Sequence, residues 1–191
     1  MAEVEVGQPA PSFRLPAGQG GEVSPEDYRG RSHLVVWFTK GMACPFCRSQ
    51  MSLFARGMDR LKAAGTEVIQ VTPTKLDRAR YYVQNFRVPF PYLCDPVLSV
   101  YQAWGLGTRS HSLLWYLKKF QAGGKIMPPP SEVGDPKTKL TEFPTLLSDT
   151  DSGMFVVDRE GIVRYRNTGV YMTEQGLRPL PSLDEILNPL A

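Results

Sequence analysis

Cys44 and Cys47 are the residues of this chain whose type and spacing are best suited to chemistry. They enclose a Cys-Pro-Phe-Cys sequence. A Cys-x-x-Cys pair is typical either of thiol redox chemistry or of half a zinc site. In both kinds of site the reactive form of cysteine is the thiolate. What the surrounding sequence does to these two sulfur atoms therefore decides between the two functions.

The sequence around Cys44 predicts that this residue begins a helix. Residues 34–38 form an apolar run typical of a strand buried on both faces. From Cys47 onward, apolar residues recur at steps of three and four, which predicts an amphipathic helix that ends at Gly65. Pro45 suits the first helical position, so Cys44 is the predicted N-cap. There its sulfur can accept the backbone N–H of Cys47 and feels the positive end of the helix dipole.

Both interactions favour the thiolate, so Cys44 is the predicted attacking group and Cys47 the predicted resolving thiol. A zinc site is disfavoured, because the third cysteine is Cys94 and the two histidines are His33 and His111, with no cluster that completes four ligands. No metal or other cofactor is predicted. A pair of ordinary buried cysteines is the remaining alternative.

The remaining pattern predicts one α/β domain over residues 1–191. Further strands are expected at residues 12–15, 67–71, 92–94, 154–157 and 162–166. Helices are expected at residues 24–28, 75–86 with Thr74 as N-cap, 97–104, and after Ser182 near the end of the chain. Residues 158–161 have the composition of a hairpin turn, which predicts an antiparallel edge on a mostly parallel sheet.

Residues 107–151 interrupt this alternation and are interpreted as an insertion, with a helix near residues 112–120. A connection of that length is commonly functional or mobile.

Composition excludes several function classes. The chain has 191 residues, of which 42% are hydrophobic and 21% charged, and its formal net charge is +3. These values are typical of a globular protein with a packed core. Since no run of five basic residues occurs, neither nucleic acid nor a membrane surface is a predicted partner. The sequence has no export signal at its start and no long apolar run, so a cytoplasmic protein is expected.

Several segments together resemble the alkyl hydroperoxide reductase and thiol-specific antioxidant (AhpC/TSA) family of peroxiredoxin-like proteins. The similar segments are VGQPAPSF at residues 6–13, ACPFCR at 43–48, FPYLCDP at 90–96, GMFVVD at 153–158, GIVRY at 161–165 and PSLDEIL at 181–187. The resemblance implies a thioredoxin-like fold with a central mixed sheet flanked by helices and an N-terminal extension. It also implies reduction of a peroxide through a sulfenic acid and then a disulfide.

In this resemblance Cys44 matches the attacking cysteine, but three other family positions differ. Well-studied members carry Pro and Thr seven and three residues before that cysteine, and an Arg before a later Gly-x-Phe strand. Trp37, Gly41 and Ser152 stand at those positions here. The family Thr and Arg hold the peroxide oxygens and stabilise developing charge.

Nearby residues are candidates to replace those donors. They are Thr39, Lys40, Arg48 and Arg109, with Arg48 ranked first and a solvated helix position as its alternative role. Cys94 has two alternative roles, a buried or partly buried structural cysteine and a second resolving thiol. The sheet order that the resemblance implies would place it two strands from the Cys44 strand, about 10 Å away and beyond direct disulfide reach, which favours the structural role. Trp37 and Phe38 are expected in the core, and Phe46 is expected as an exposed apolar contact.

The leading functional prediction is a thiol peroxidase that uses a thioredoxin-like or other dithiol electron donor, with a homodimer among the expected assemblies. A thiol-disulfide oxidoreductase acting on protein disulfides is the alternative enzyme. Gly153 weighs against it, because a thioredoxin usually places a cis-proline there, facing its cysteines. A redox-inert or redox-sensing scaffold is the alternative without catalysis.

Overall fold

The fold is built on a five-stranded mixed sheet. The computed structural model describes residues 3–109, 132–142, 148–169, 172–173, 176–177 and 181–190. The sheet strands are β3 (His33–Phe38), β4 (Thr66–Thr72), β5 (Tyr92–Cys94), β8 (Ser152–Val157) and β9 (Val163–Gly169). Their order across the sheet is β5-β4-β3-β8-β9. Strands β3, β4 and β5 run parallel, whereas β8 and β9 are antiparallel to their neighbours. The predicted hairpin at the sheet edge is confirmed.

Short strand pairs accompany the main sheet. They are β1 (Leu15–Pro16) with β2 (Glu22–Val23), β6 (Thr108–Arg109) with β7 (Asp149–Thr150), and β10 (Met172–Thr173) with β11 (Gly176–Leu177). The first of these lies slightly later than the strand predicted at residues 12–15. The predicted one-turn helix is present as a 3-10 turn at Pro25–Asp27, capped by the Ser24 side chain.

Four α-helices flank the sheet in the described residues. They are α1 (Pro45–Ala63), α2 (Leu76–Asn85), α3 (Ser99–Ala103) and α4 (Leu183–Leu187). Helix α4 has the predicted cap, since the Ser182 hydroxyl accepts the Glu185 amide and the Glu185 carboxylate accepts the Ser182 amide. None of the helices in the described part of the chain is long and apolar enough to span a membrane.

Two strand-helix junctions differ from the sequence prediction. Helix α2 has Lys75 and not Thr74 at its N-cap, without a side-chain capping bond. The prediction of Thr74 was wrong because its hydroxyl is hydrogen-bonded to the Tyr92 hydroxyl instead. Helix α3 begins at Ser99, two residues later than predicted, since the Asp95 carboxylate caps it from outside.

Alternation along β3 divides the core between the two faces of the sheet. Leu34, Val36 and Phe38 face a cluster that includes α3 and the N-terminal segment. Val35 and Trp37 face a second cluster that includes apolar residues of α1, α2 and α4. Because both faces are covered, the continuous apolar run of β3 is fully buried, as predicted for a central parallel strand.

Part of the predicted insertion lies across the helices. In residues 132–142, the Glu132 amide donates to the Ser52 hydroxyl on α1. Further along, Glu142 accepts hydrogen bonds from Arg78 and Tyr82 on α2. This segment, called here the crossing segment, therefore joins α1 to α2 on the side of the sheet that carries the cysteine pair. The helix predicted near residues 112–120 lies outside the described residues.

Three predictions about the whole chain are not tested by these observations. The single-domain organisation, the cytoplasmic location and the homodimer stay predictions.

Candidate active site

Cys44 caps the N-terminus of α1, as its sequence context predicts. Its backbone is extended (φ −86°, ψ 117°), and its sulfur accepts the backbone N–H of Cys47 at 3.4 Å. Pro45 occupies the first helical position, where a missing N–H leaves no helical bond unmade. Both cysteines are buried, with only 5% of Cys44 and 0% of Cys47 exposed. The structure thus brings the predicted pair together in one helical turn.

The donors around Cys44 make it the acidic thiol of the pair. The hydrogen bond from the Cys47 side chain is the largest influence and lowers the pKa of Cys44, whereas burial raises it. The backbone amides of Cys47 and Phe46 and the charge of Lys40 add to the lowering, and the resulting pKa of Cys44 is about 7. A thiol with that pKa is substantially ionised at neutral pH, so Cys44 is equipped as a nucleophile.

Side chains hold the backbone of the loop between β3 and α1 in place. Thr39 Oγ1 accepts the Gly41 amide at 2.9 Å and also accepts Gln70 Nε2 at 2.7 Å. The Cys44 amide donates to the Gly41 carbonyl at 3.1 Å, which closes a turn just before the helix. Thr39 is buried, so its hydroxyl organises the interior of this loop.

Arg48 is buried one turn into α1 and points back to the same loop. Its Nη1 donates to the Met42 carbonyl at 2.8 Å and to the Ala43 carbonyl at 3.4 Å. Its Nη2 is paired with the carboxylate of Asp135 in the crossing segment. The alternative of a solvated helix position is therefore wrong, because only 7% of the residue is exposed.

The contacts of the three residues that differ from the family pattern are defined in the structure. Trp37 is buried against Phe54, with ring centroids 5.0 Å apart, which confirms it as a core residue. Gly41 has a positive φ of 76° and lies against the Tyr92 hydroxyl. Ser152 is buried and donates to the Gly169 carbonyl at 2.7 Å. None of the three supplies a guanidinium to the site.

Lys40, Phe46 and Arg109 are the other residues that the sequence singled out. Lys40 is near enough for its charge to act on Cys44, and its Nζ donates to the Ser148 carbonyl. Phe46 is half-buried and so less exposed than predicted. The backbone of Arg109 in β6 pairs with that of Asp149 in β7. The Arg109 side chain and His111 lie outside the described structure.

Cys94 lies apart from the pair. It ends β5, which is separated from β3 by β4, as predicted. The residue is 2% exposed, and burial raises the pKa of its thiol to about 11. This confirms a buried cysteine, whose surroundings suppress the thiolate.

Sequence reasoning missed Tyr92, Gln70 and Asp135, which contact the loop or its supporting side chains. Tyr92 and Gln70 lie in strands, where the sequence pattern predicts which side chains are buried but not which residues they contact. The contact of Asp135 with Arg48 joins residues 87 positions apart, so no local spacing could indicate it. Among the described residues, no group of three His, Cys, Asp or Glu side chains is arranged to hold a metal ion.

The sheet, its flanking helices and the helix-capping cysteine define a thioredoxin-like protein with a thiol site. The chain belongs to the AhpC/TSA family, whose model matches residues 6–166. The family prediction from the sequence is thereby confirmed.

Relatives with similar sequences carry peroxiredoxin names. The Mycobacterium tuberculosis protein Rv2521, named as a peroxiredoxin, is 34% identical over 99 residues, which make up 52% of this chain and 62% of that protein. The chloroplastic peroxiredoxin Q of Populus jackii is 29% identical over 106 residues, covering 56% of this chain and 49% of the relative. The matched stretch is thus less than two thirds of the length of these relatives.

Solved structures share the fold over nearly the whole chain. Peroxidoxin BcpB from Mycobacterium tuberculosis has a TM-score of 0.65 at 15% identity, covering 98% of this chain and 97% of that one. The reduced 2-Cys peroxiredoxin of Plasmodium vivax has a TM-score of 0.62 at 15% identity, covering 95% and 78%. At this identity the likeness concerns the fold alone, and it confirms the predicted thioredoxin-like α/β fold.

Proposed function

We propose that this protein is a thiol peroxidase that reduces hydroperoxides through Cys44 and Cys47. The observation that carries the proposal is the capping position of the Cys44 sulfur, with the amide and thiol of Cys47 as donors. These donors favour a thiolate at neutral pH without a metal or a histidine base. Membership in the AhpC/TSA family supports the same chemistry.

The proposed reaction has two steps at the pair. The Cys44 thiolate attacks one peroxide oxygen, the O–O bond breaks, and the other oxygen leaves as an alcohol or water after taking a proton. Cys44 is then a sulfenic acid. The Cys47 sulfur attacks it, a disulfide forms and water leaves. A thioredoxin-like or other dithiol donor would restore both thiols by exchange and become a disulfide itself.

The burial of the pair favours a small oxidant over a protein disulfide. In the reduced protein Cys44 is only 5% exposed and Cys47 is fully buried, so little sulfur surface is available to a protein disulfide. Exchange of the Cys44–Cys47 disulfide with a protein donor therefore requires the pair to become more exposed after oxidation. At the position of the thioredoxin cis-proline, Gly153 pairs with Phe38 inside the sheet, and an added Cβ there would meet Leu106 at 2.9 Å. The protein-disulfide alternative therefore has less support from the site.

We assign Arg48 and Thr39 to the support of this reaction. Arg48 donates to two carbonyls of the loop before Cys44, and Thr39 accepts an amide of the same loop. In this proposal both residues hold the loop in the shape that the capping sulfur requires. The charge of Lys40 adds electrostatic stabilisation of the thiolate.

Rapid-mixing oxidation of the reduced protein tests the proposal. Hydrogen peroxide and an organic hydroperoxide are each mixed with wild type, Cys44→Ser, Cys47→Ser and the matched control Cys94→Ser, and the thiol products are identified by mass spectrometry. We expect oxidation much faster than that of free cysteine, lost in Cys44→Ser and retained in Cys94→Ser. In Cys47→Ser the sulfenic acid should accumulate. Wild-type oxidation no faster than that of free cysteine would refute the proposal.

A further inference from the structure

The phenol of Tyr92 reaches from β5 to the loop that precedes the cysteine pair. Its oxygen accepts the backbone N–H of Met42 at 3.0 Å. The same oxygen is 2.8 Å from Thr74 Oγ1, with which it shares a second hydrogen bond. Tyr92 is fully buried, so these bonds are made away from competing water.

Gly41 is matched to this phenol. A Cβ atom at position 41 would lie 2.3 Å from the Tyr92 hydroxyl oxygen and 2.8 Å from Thr74 Oγ1. Both distances are shorter than a non-bonded contact, so these neighbours would have to move. The positive φ of 76° at Gly41 also favours glycine. The space that a side chain at position 41 would need is thus taken by the phenol oxygen.

The Met42 residue is consequently held at both of its backbone polar groups. Tyr92 accepts its N–H, and Arg48 donates to its carbonyl at 2.8 Å. The chain then runs through Ala43 to the extended Cys44, whose sulfur must face the first turn of α1 to accept the Cys47 amide. A shift of the Met42 peptide would therefore alter the cap.

We infer that Tyr92 is a positioning residue for the thiol pair: its phenol oxygen anchors the Gly41-Met42 peptide and thereby holds Cys44 in its capping geometry. The inference deepens the proposed peroxidase function and depends on that function only for the reaction that the loop serves. Tyr92 acts through the backbone and needs no contact with peroxide.

The test is the pH dependence of Cys44 alkylation by iodoacetamide, followed by mass spectrometry in Tyr92→Phe. We expect the midpoint to move to higher pH, with alkylation at pH 7 slowed by about fivefold, the size of effect that loss of one hydrogen bond allows. Oxidation by hydrogen peroxide should slow by a similar factor. Alkylation needs no peroxide, so the inference can be judged even if the proposed peroxidase activity fails.

Tyr82→Phe is the matched control. Tyr82 is also a fully buried tyrosine of the same core cluster, but its hydroxyl donates to Glu142, away from the loop. We expect this variant to lose thermal stability while keeping the wild-type alkylation midpoint. A wild-type midpoint in folded Tyr92→Phe would overturn the inference. If Tyr92→Phe does not fold, Thr74→Val decides: a smaller shift in the same direction supports the inference, and an unchanged midpoint overturns it.

Discussion

Cys44 and Cys94 are both buried near the carboxyl ends of parallel strands in one sheet, yet their thiols are shifted in opposite directions. The pKa of Cys44 is lowered to about 7, mainly by the hydrogen bond from the Cys47 thiol. The pKa of Cys94 is raised to about 11, mainly by burial. Burial alone therefore does not make a cysteine reactive or inert.

The difference arises from how each strand passes into the next helix. After β3, the cysteine itself caps α1, so the helix amides point at its sulfur. After β5, the following residue performs that function, since the Asp95 carboxylate accepts the Val100 amide at 2.8 Å and the Ser99 amide at 3.1 Å. Cys94, one residue earlier, is left in the apolar core. A thiol that caps a helix is thus acidic, whereas a thiol one residue before the capping carboxylate is not.

The largest expected effect is the selectivity of alkylation between these two cysteines in the native protein. At pH 7 about half of Cys44 but only about one part in ten thousand of Cys94 is expected as thiolate. Since a thiolate of higher pKa is the stronger nucleophile, the rates differ less than these fractions, and iodoacetamide should modify Cys44 at least about fiftyfold faster. Because the pKa of Cys44 is lowered, its alkylation should rise with pH through about 7 and then level off. Cys94 should remain unmodified throughout that range.

Peptide mass spectrometry after timed quenching measures both rates in one sample. Denatured protein serves as the control, since unfolding should make the two cysteines react at similar rates. Comparable native rates would mean that the strand-helix junctions do not control thiol reactivity.

The sequence contained enough information to place Cys44 and to single out Thr39, Lys40 and Arg48 nearby, but not the supporting residues that are distant along the chain. The apolar run of β3, Pro45 and the helical periodicity after it are local signals, and they predicted the capping sulfur correctly. Asp135 contacts Arg48, and Tyr92 contacts the loop. Both contacts join distant parts of the chain, so no local spacing indicates them. Thr74 was predicted as a helix cap because its residue type suits that role, but its hydroxyl is hydrogen-bonded to the Tyr92 hydroxyl instead.

A smaller effect is expected from a substitution at the junction of β3 and α1. It should change both the stability of the protein and the reactivity of Cys44. Arg48→Met removes the donor to the Met42 and Ala43 carbonyls, and we expect it to lower the free energy of unfolding by about 1–3 kcal/mol. It should also raise the pKa of Cys44, because the loop before the cap is released. Chemical denaturation and the alkylation profile measure the two changes.

Two comparison variants sharpen this result. Asp95→Ala removes the cap of α3 and should cost about 0.5–2 kcal/mol while leaving the alkylation of Cys44 unchanged. Asp135→Asn should cost less than about 1 kcal/mol, because the Asp135 side chain is 84% exposed. If Asp95→Ala altered Cys44 as much as Arg48→Met, the two junctions would not be independent.

The smallest effect concerns the Cys47 side chain, which distinguishes the surroundings of Cys44 from those of Cys94. Cys47→Ala keeps the backbone amide but removes the S–H donor, whereas Cys47→Ser keeps a hydroxyl donor at the same place. Since the side-chain hydrogen bond is the largest influence lowering the pKa of Cys44, that pKa should be higher in the alanine variant. We expect Cys44 alkylation at pH 7 to be about threefold slower in Cys47→Ala than in Cys47→Ser.

Both variants lack the resolving sulfur, so disulfide formation cannot affect the comparison. The alkylation midpoint of each gives the pKa of Cys44 directly. Equal midpoints, both near 7, would assign the acidity of Cys44 to the helix amides and Lys40 without the side chain. Equal midpoints near that of an ordinary cysteine would show instead that the thiol of Cys47 is required and a hydroxyl cannot replace it. The geometry predicts a lower alkylation midpoint in Cys47→Ser than in Cys47→Ala, because only the serine variant retains a donor directed at the Cys44 sulfur.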